Sequence, residues 1–198
     1  MKRDEAVAVV RGRLEESARV LKEIAADHAG VIADAAAMVV DGFTTGNAFY
    51  TCGNGGSAAD AQHIAAELSG RYYLERRPLP AVALTVNSSA LTAIGNDFGF
   101  DEVFSRQLDG VGRKGDVLLA ITTSGTSANV LRAVESARRL GMKVIGFTGS
   151  RGKRFAESCD LALVVPSDDV ARIQEGHIGA GHLVCQLVEA TMFGSAQG

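Results

Sequence analysis

Apolar positions recur along this chain at two different periods. Over residues 4–27, Val7, Val10, Leu14, Leu21 and Ile24 stand among charges, about 3.6 residues per turn, which predicts an amphipathic helix. Residues 30–45 are richer in alanine and predict a second helix ending near Gly46-Asn47. Short unbroken apolar runs then take over: 48–52, 81–86, 117–122, 143–147 and 161–165. None alternates in polarity, which is the pattern of strands buried on both faces of a parallel sheet. Between them the pattern predicts helices from Ser57 to about Leu68, from Ser88 or Ser89 to near Ile94, and from about Asp101 to Val111. Three more are predicted: one up to about Leu140, a short one near 152–157, and a last one over about 169–193. Residues 71–80, with two prolines, and 95–100 read as loops. Strands alternating with helices argue a doubly wound α/β unit. We read 1–198 as one such unit, with a helical hairpin at 1–45 and the α/β core at 46–198. The hairpin either covers the sheet or pairs with its equivalent in another copy.

Composition narrows the classes. The chain has 198 residues, 46% apolar and 22% charged, which suits one sizeable core. A net charge of −3 gives no reason to expect nucleic acid as the ligand. Cys52, Cys159 and Cys185 lack metal-type spacing; Cys52 and Cys185 fall in apolar runs and are expected to be buried and reduced. The N-terminal segment is charged, and no uncharged stretch reaches membrane-spanning length. A cytoplasmic protein that does not engage the membrane is the expectation.

The chemistry centres on Tyr50 to Gly70. A buried strand leads into the turn Gly53-Asn54-Gly55-Gly56, and Ser57 opens an alanine-rich helix. Free N–H groups and the positive end of the helix dipole favour an anion there. The turn also fits G-x-G-x-x-A, but the next strand ends Thr85-Val86-Asn87, without the acid a dinucleotide ribose needs. No G-x-x-x-x-G-K-[ST] loop is present either, so no nucleotide cofactor is expected. A second turn, 122–127, carries the hydroxyls of Thr122, Thr123, Ser124, Thr126 and Ser127. A helix cap needs one hydroxyl; five favour a compact phosphate ester held without lysine or metal. Both turns follow strands and so share the carboxyl edge of the sheet, where open α/β folds bind ligands.

His63 and Glu67 are four residues apart on one face of the first core helix. The last helix offers Gln174, Glu175, His177 and His182. Gln174 and His182 lie about 80° apart around that helix and can face one site. Gly176, Gly179 and Gly181 each cost roughly 1 kcal/mol inside a helix. Close approach of another backbone or of a substrate is the expected reason. Two imidazoles, a carboxylate and an amide suit a divalent metal such as zinc, although the amide is an unusual ligand.

The motifs C-G-N-G-G-S at 52–57, A-Q-H-I-A-A-E-L-S-G-R-Y at 61–72, G-N-D-F-G-F at 95–100, G-D-V-L-L-A-I-T-T-S-G-T-S-A-N-V at 115–130 and R-I-Q-E-G-H at 172–177, with His182, come in a fixed order. As an ordered set they resemble the phosphoheptose isomerases, which are sedoheptulose 7-phosphate isomerases of the sugar isomerase (SIS) fold. The resemblance covers almost the whole chain. It implies a three-layer α/β sandwich around a flavodoxin-like, five-stranded parallel sheet, preceded by the helical pair. It also implies a homotetramer with active sites between subunits. The implied reaction is aldose–ketose isomerisation of sedoheptulose 7-phosphate to D-glycero-D-manno-heptose 7-phosphate through an enediol, the first step of ADP- or GDP-heptose synthesis.

By motif, Glu67 matches the catalytic base and His182 its acid–base partner. Asn54, Gly55, Gly56, Ser57, Glu67, Asn96, Asp97, Thr122, Thr123, Ser124, Ser127 and Gln174 match substrate-binding positions. Arg71 stands where a phosphate-facing arginine is expected. His63, Glu67, Gln174 and His182 match the zinc ligands of some members, one ion per subunit. The second turn more usually reads S-T-S-G-N-S in that family; Thr122 keeps a hydroxyl, and Thr126 replaces an amide. A related non-catalytic adaptor, which binds the bacterial replication initiator, shares the helical pair and R-I-Q-E but lacks the Glu67 and His182 pair. A sugar-phosphate-sensing regulator would normally carry a DNA-binding segment in addition.

Overall fold

The computed structural model describes residues 1–194; residues 195–198, at the end of the expected unit, lie outside the described residues. Two helices, α1 (Arg3–Asp27) and α2 (Ala29–Thr44), precede strand β1 (Phe49–Gly53). Helix α3 (Gly56–Ser69), β2 (Ala81–Ala83), α4 (Ser88–Phe98) and α5 (Ser105–Val111) follow. The chain continues through β3 (Val117–Ile121), α6 (Ala128–Leu140), β4 (Lys143–Gly149), α7 (Lys153–Ala156), β5 (Leu161–Val165) and α8 (Val170–Phe193). All strand pairs are parallel, in the order β2-β1-β3-β4-β5, the flavodoxin-like order.

Successive strand residues feed opposite layers. Phe49, Val117, Leu119, Ile121, Ile145 and Phe147 pack with α2, α3 and α8. Tyr50, Cys52, Leu118, Ala120 and Val144 pack with α5 and α6. Burial of both faces is why these strands read as unbroken apolar runs. The hairpin divides its roles. Helix α2 buries Ile32, Ala35, Ala36 and Val39 against the sheet layer, whereas α1 buries only Val20 and Ile24 and leaves Val7, Val10, Leu14 and Leu21 exposed. Among the described residues no helix is long and apolar enough to cross a membrane.

Four details correct the sequence reading. The predicted loop at 95–100 is helical through Phe98. The Asn87 side chain accepts from the Ala90 N–H (3.0 Å), and the helix ends only at Gly99, whose φ of 92° suits glycine. The helix predicted over 101–111 is broken into a 3₁₀ turn at Phe100–Glu102 and α5, because Val103 and Phe104 are both buried between them. Strand β2 stops at Ala83, an edge strand with Val82 and Val86 exposed. Gly176 and Gly181 of α8 face close side chains and not another backbone. A Cβ at Gly176 would meet Ile24 and Val165 at 2.9 Å, and one at Gly181 would meet Ile64 at 2.4 Å.

Candidate functional site

In this sheet order the strand sequence reverses between β1 and β3, which opens a crevice at their carboxyl ends. Gly53 and Ile121 are register partners there, so the two polar turns leave the sheet side by side. Asn54 and Asn129 stitch them together by reciprocal amide hydrogen bonds, both 2.8 Å. Gly55 has φ 56° and ψ −122°, a conformation that a Cβ disfavours, and it delivers the chain into α3. Gly53 is needed for closeness, since a Cβ there would meet the Ser57 carbonyl oxygen at 2.6 Å.

The hydroxyls of the second turn form an internal lattice. Thr122 Oγ1 and Ser127 Oγ are 3.1 Å apart, and Thr122 Oγ1 accepts from the Gly125 N–H (3.2 Å). Ser124 Oγ and Thr126 Oγ1 are 2.9 Å apart. Ser127 occupies the cap position of α6 without its side chain capping the helix. Capping therefore does not account for these hydroxyls, and each retains lone pairs or a rotatable proton for a ligand.

A second cluster lies further along α3. His63 Nε2 is 3.1 Å from Glu67 Oε1, the i,i+4 pair expected from spacing. Helix α8 brings His182 Nε2 to 3.1 Å from the same His63 nitrogen. The ligand atoms of His63, Glu67 and His182 all lie within 4.8 Å of one another, and the three can hold a metal ion. His63 Nε2 cannot donate to both neighbours at once, so an ion replacing that proton relieves the crowding. Two imidazole nitrogens and a carboxylate oxygen are an N/O donor set suited to zinc with an open position. Asp60, one turn earlier on α3, has a buried Oδ2 without a partner among the described residues. Burial pushes its carboxyl up to about 6, against the pull of His63.

The remaining predicted residues spread out. Gln174 is on the α8 face that meets α3, but its amide lies against Gly56, where a Cβ would come within 2.4 Å of Nε2. That is two turns, about 10 Å, before His63. Asn96 and Asp97 are on α4, hydrogen-bonded to each other (2.8 Å) and to neither turn among the described residues. Arg71 is exposed and forms no ion pair among the described residues.

The SIS domain family matches residues 14–149. A phosphoheptose isomerase of Rhodospirillum rubrum is 58% identical over 163 residues, 82% of this chain and 87% of that protein. The chain belongs to the phosphoheptose isomerase family. Solved structures of phosphoheptose isomerases from Neisseria gonorrhoeae (44% identity, covering 93% of this chain and 99% of that one) and Francisella tularensis (39%, 92% and 97%) superpose with a TM-score of 0.89 each.

Against this family background, two features escaped the sequence reading. Tyr72 stands beside the cluster, its ring 5.9 Å from that of His182. Burial, then hydrogen bonding with Tyr73, pushes its phenol up to about 12, so it stays neutral at physiological pH. Arg76 and Glu189 form a buried ion pair behind the cluster (2.8 Å). The readable signal was Glu189 itself, a carboxylate set among Leu187, Val188 and Ala190 on an apolar helix. The cysteines follow expectation: Cys52 and Cys185 are buried, and burial pushes both thiols up to about 12.

Proposed function

We propose that this chain interconverts sedoheptulose 7-phosphate and D-glycero-D-manno-heptose 7-phosphate, at the entry to ADP- or GDP-heptose synthesis, and works as one SIS unit over 1–198. The observation that carries this is the His63–Glu67–His182 cluster, whose first two members stand on α3, the helix that rises from an anion-receptive turn, and whose third comes from α8. Membership of the phosphoheptose isomerase family supports the substrate class.

In this reading the phosphate sits at the turns, held by Ser57, Thr122, Thr123, Ser124 and Ser127 and by N–H groups around Asn54, Gly55 and Gly56. Arg71 adds a cation, and Asn96, Asp97 and Gln174 address the sugar hydroxyls. Anchoring one end fixes C1 and C2 relative to the cluster. Glu67 Oε1 is engaged by His63. Oε2 takes one C1 hydrogen of the ketose as a proton. The C1 electron pair forms the enediol double bond, and the C2 oxygen receives a proton from His182. Return of a proton to C2 and loss of the O1 proton to His182 give the aldose.

The proposed cofactor is one zinc ion per subunit, which His63, Glu67 and His182 would hold, His182 then serving as ligand in place of its proton-carrying role; Gln174, expected as a fourth ligand, lies against Gly56 and stays with the substrate. When bound, zinc supplies Lewis-acid stabilisation of the oxygen that gains charge. We also place the protein in the cytoplasm, with its soluble substrate, as a homotetramer. The exposed apolar residues of α1 support the assembly, as do Leu183 and Leu187 of α8, which line one groove with Leu21.

Incubation of the purified protein with sedoheptulose 7-phosphate, with the products resolved by NMR, tests the reading. The expected result is the heptose 7-phosphate aldose from wild type and not from Glu67→Gln. An unchanged ketose in the presence of zinc overturns the substrate assignment.

A further inference from the structure

Helix α3 ends beside the reacting residues, and its last carbonyls are held from outside the helix. Arg76 Nη2 donates to the Glu67 carbonyl (2.9 Å). Its Nη1 donates to the carbonyls of Leu68 (3.0 Å), Gly70 (3.1 Å) and Arg77 (3.0 Å). Helix-terminal carbonyls have no partner within the helix, and a cation there complements the dipole. The same guanidinium gives Nε to Glu189 Oε1 (2.8 Å).

Glu189 belongs to α8 and organises the chain between α3 and Arg76. Its Oε1 also accepts from the Tyr72 N–H (3.1 Å), and its Oε2 accepts from the N–H groups of Tyr73 (2.7 Å) and Leu74 (2.9 Å). These backbone bonds and Arg76 hold its carboxyl below the ordinary carboxylate value, although burial pushes it the other way. The two side chains are 2% and 3% exposed. Residues 70–76 thereby become an ordered strap, and its Tyr72 ring stands beside His182.

We propose that Arg76 and Glu189 are positioning residues: one buried pair sets Glu67 through the end of α3 and sets His182 through the Tyr72 wall. The inference rests on the isomerase reading for what is positioned, and on the hydrogen bonds for how. Neither residue contacts the Glu67 carboxylate or the His182 ring among the described residues. The ion pair by itself adds little stability, because an apolar pair of similar volume often serves as well, but an apolar pair could not replace its bonds to the backbone. Those bonds fall at two places that adjoin the reacting side chains.

That distinction sets the test. The double variant Arg76→Met/Glu189→Leu leaves no uncompensated charge but frees seven backbone groups, so it is expected to fold and to melt below wild type. Three readouts are taken on the full chain: amide exchange at Tyr72, Tyr73 and Leu74, the imidazole resonances of His182 with those of remote His28 as control, and kcat on sedoheptulose 7-phosphate. The expected result is exchange about 100-fold faster in the strap, shifted His182 resonances with His28 unmoved, and kcat down about 100-fold. Arg76→Lys keeps the cation without the planar fork and is expected to fall between the two; it answers the same questions if the double variant does not fold. Strap amides that stay protected overturn the proposal. So does freed exchange with kcat within twofold and His182 unmoved. If wild type is inactive on this sugar, the substrate reading fails, and the exchange and imidazole readouts still decide the clamp.

Discussion

His182 Nε2 lies 3.1 Å from His63 Nε2, across 119 residues of sequence, with both residues in one chain. The pairing exists because α8 runs alongside α3, with Gly181 letting Ile64 approach closely. Two imidazole nitrogens so close, with Glu67 3.1 Å from one of them, make a compact donor set. Calorimetric zinc titration is therefore expected to show at least about 100-fold weaker binding for His182→Ala and for His63→Ala, since losing even an outer-sphere partner typically costs 10–100-fold. His182→Ala is also expected to lower kcat by about 10²–10⁴-fold, the usual range for a lost acid–base group.

His177, five residues before His182, has a different role. Its ring is fully buried on Phe147 beside the Thr148 backbone, and neither nitrogen has a hydrogen-bond partner of good geometry among the described residues. Burial pushes its pKa down from 6.5 to about 4. The unfolded chain then binds a proton between pH 6.5 and about 4 while the folded chain does not. Stability contributed at this position is full above pH 6.5 and is lost as pH falls towards 4, by about 3 kcal/mol over the window. Asp60, with its raised pKa, acts in the opposite sense over part of this range. The difference between wild type and His177→Met, measured by denaturant melts across the window, isolates the histidine. The variant is expected to lack the acid-side loss.

Two helix glycines should respond oppositely to alanine. Gly12, on α1, has open space where a Cβ would project, with no neighbour within 4 Å among the described residues, so Gly12→Ala is expected to stabilise by about 1 kcal/mol through helix propensity. A Cβ at Gly181 would meet Ile64 Cδ1 at 2.4 Å. Gly181→Ala is expected to destabilise by about 1–3 kcal/mol despite the same propensity gain, because the core must shift. If α8 relieves the clash by moving away from α3, zinc binding weakens as well; relief by a changed Ile64 rotamer leaves it unaltered.

The exposed apolar edges of α1 and α8 make the assembly testable. Leu14 is 65% exposed and Leu183 is 48% exposed in the single chain. Sedimentation of wild type is expected to give the tetramer. Leu14→Glu combined with Leu183→Glu is expected to give smaller species, because charge placed in an apolar contact is left without water or partner.

What the sequence revealed depended on distance along the chain. The two turns, and the i,i+4 relation of His63 and Glu67, are local and were readable from spacing. His182 was readable as lying on the right face of α8, and the structure brings it to His63. Gln174 shares that face, yet helix rise carries it to Gly56, a separation that angle alone conceals. The loop expected over 95–100 is helical as far as Phe98, because the Asn87 cap and the positive φ of Gly99 set the helix ends. Arg76 resembles an ordinary surface charge, and Glu189, although set among apolar residues, lies 113 residues away from it with nothing in the sequence to pair them. Only the packing of α8 behind the strap shows that the two are one unit.

The measurement that bears most directly on the central claim is deuterium wash-in. Sedoheptulose 7-phosphate is incubated in D₂O with zinc-loaded wild type or Glu67→Gln, and the label is located by NMR. Proton transfer through an enediol predicts deuterium at C2 of the aldose and at C1 of recovered ketose with wild type, and neither with Glu67→Gln. Labelling and turnover at the wild-type rate by Glu67→Gln would contradict the assignment of the base.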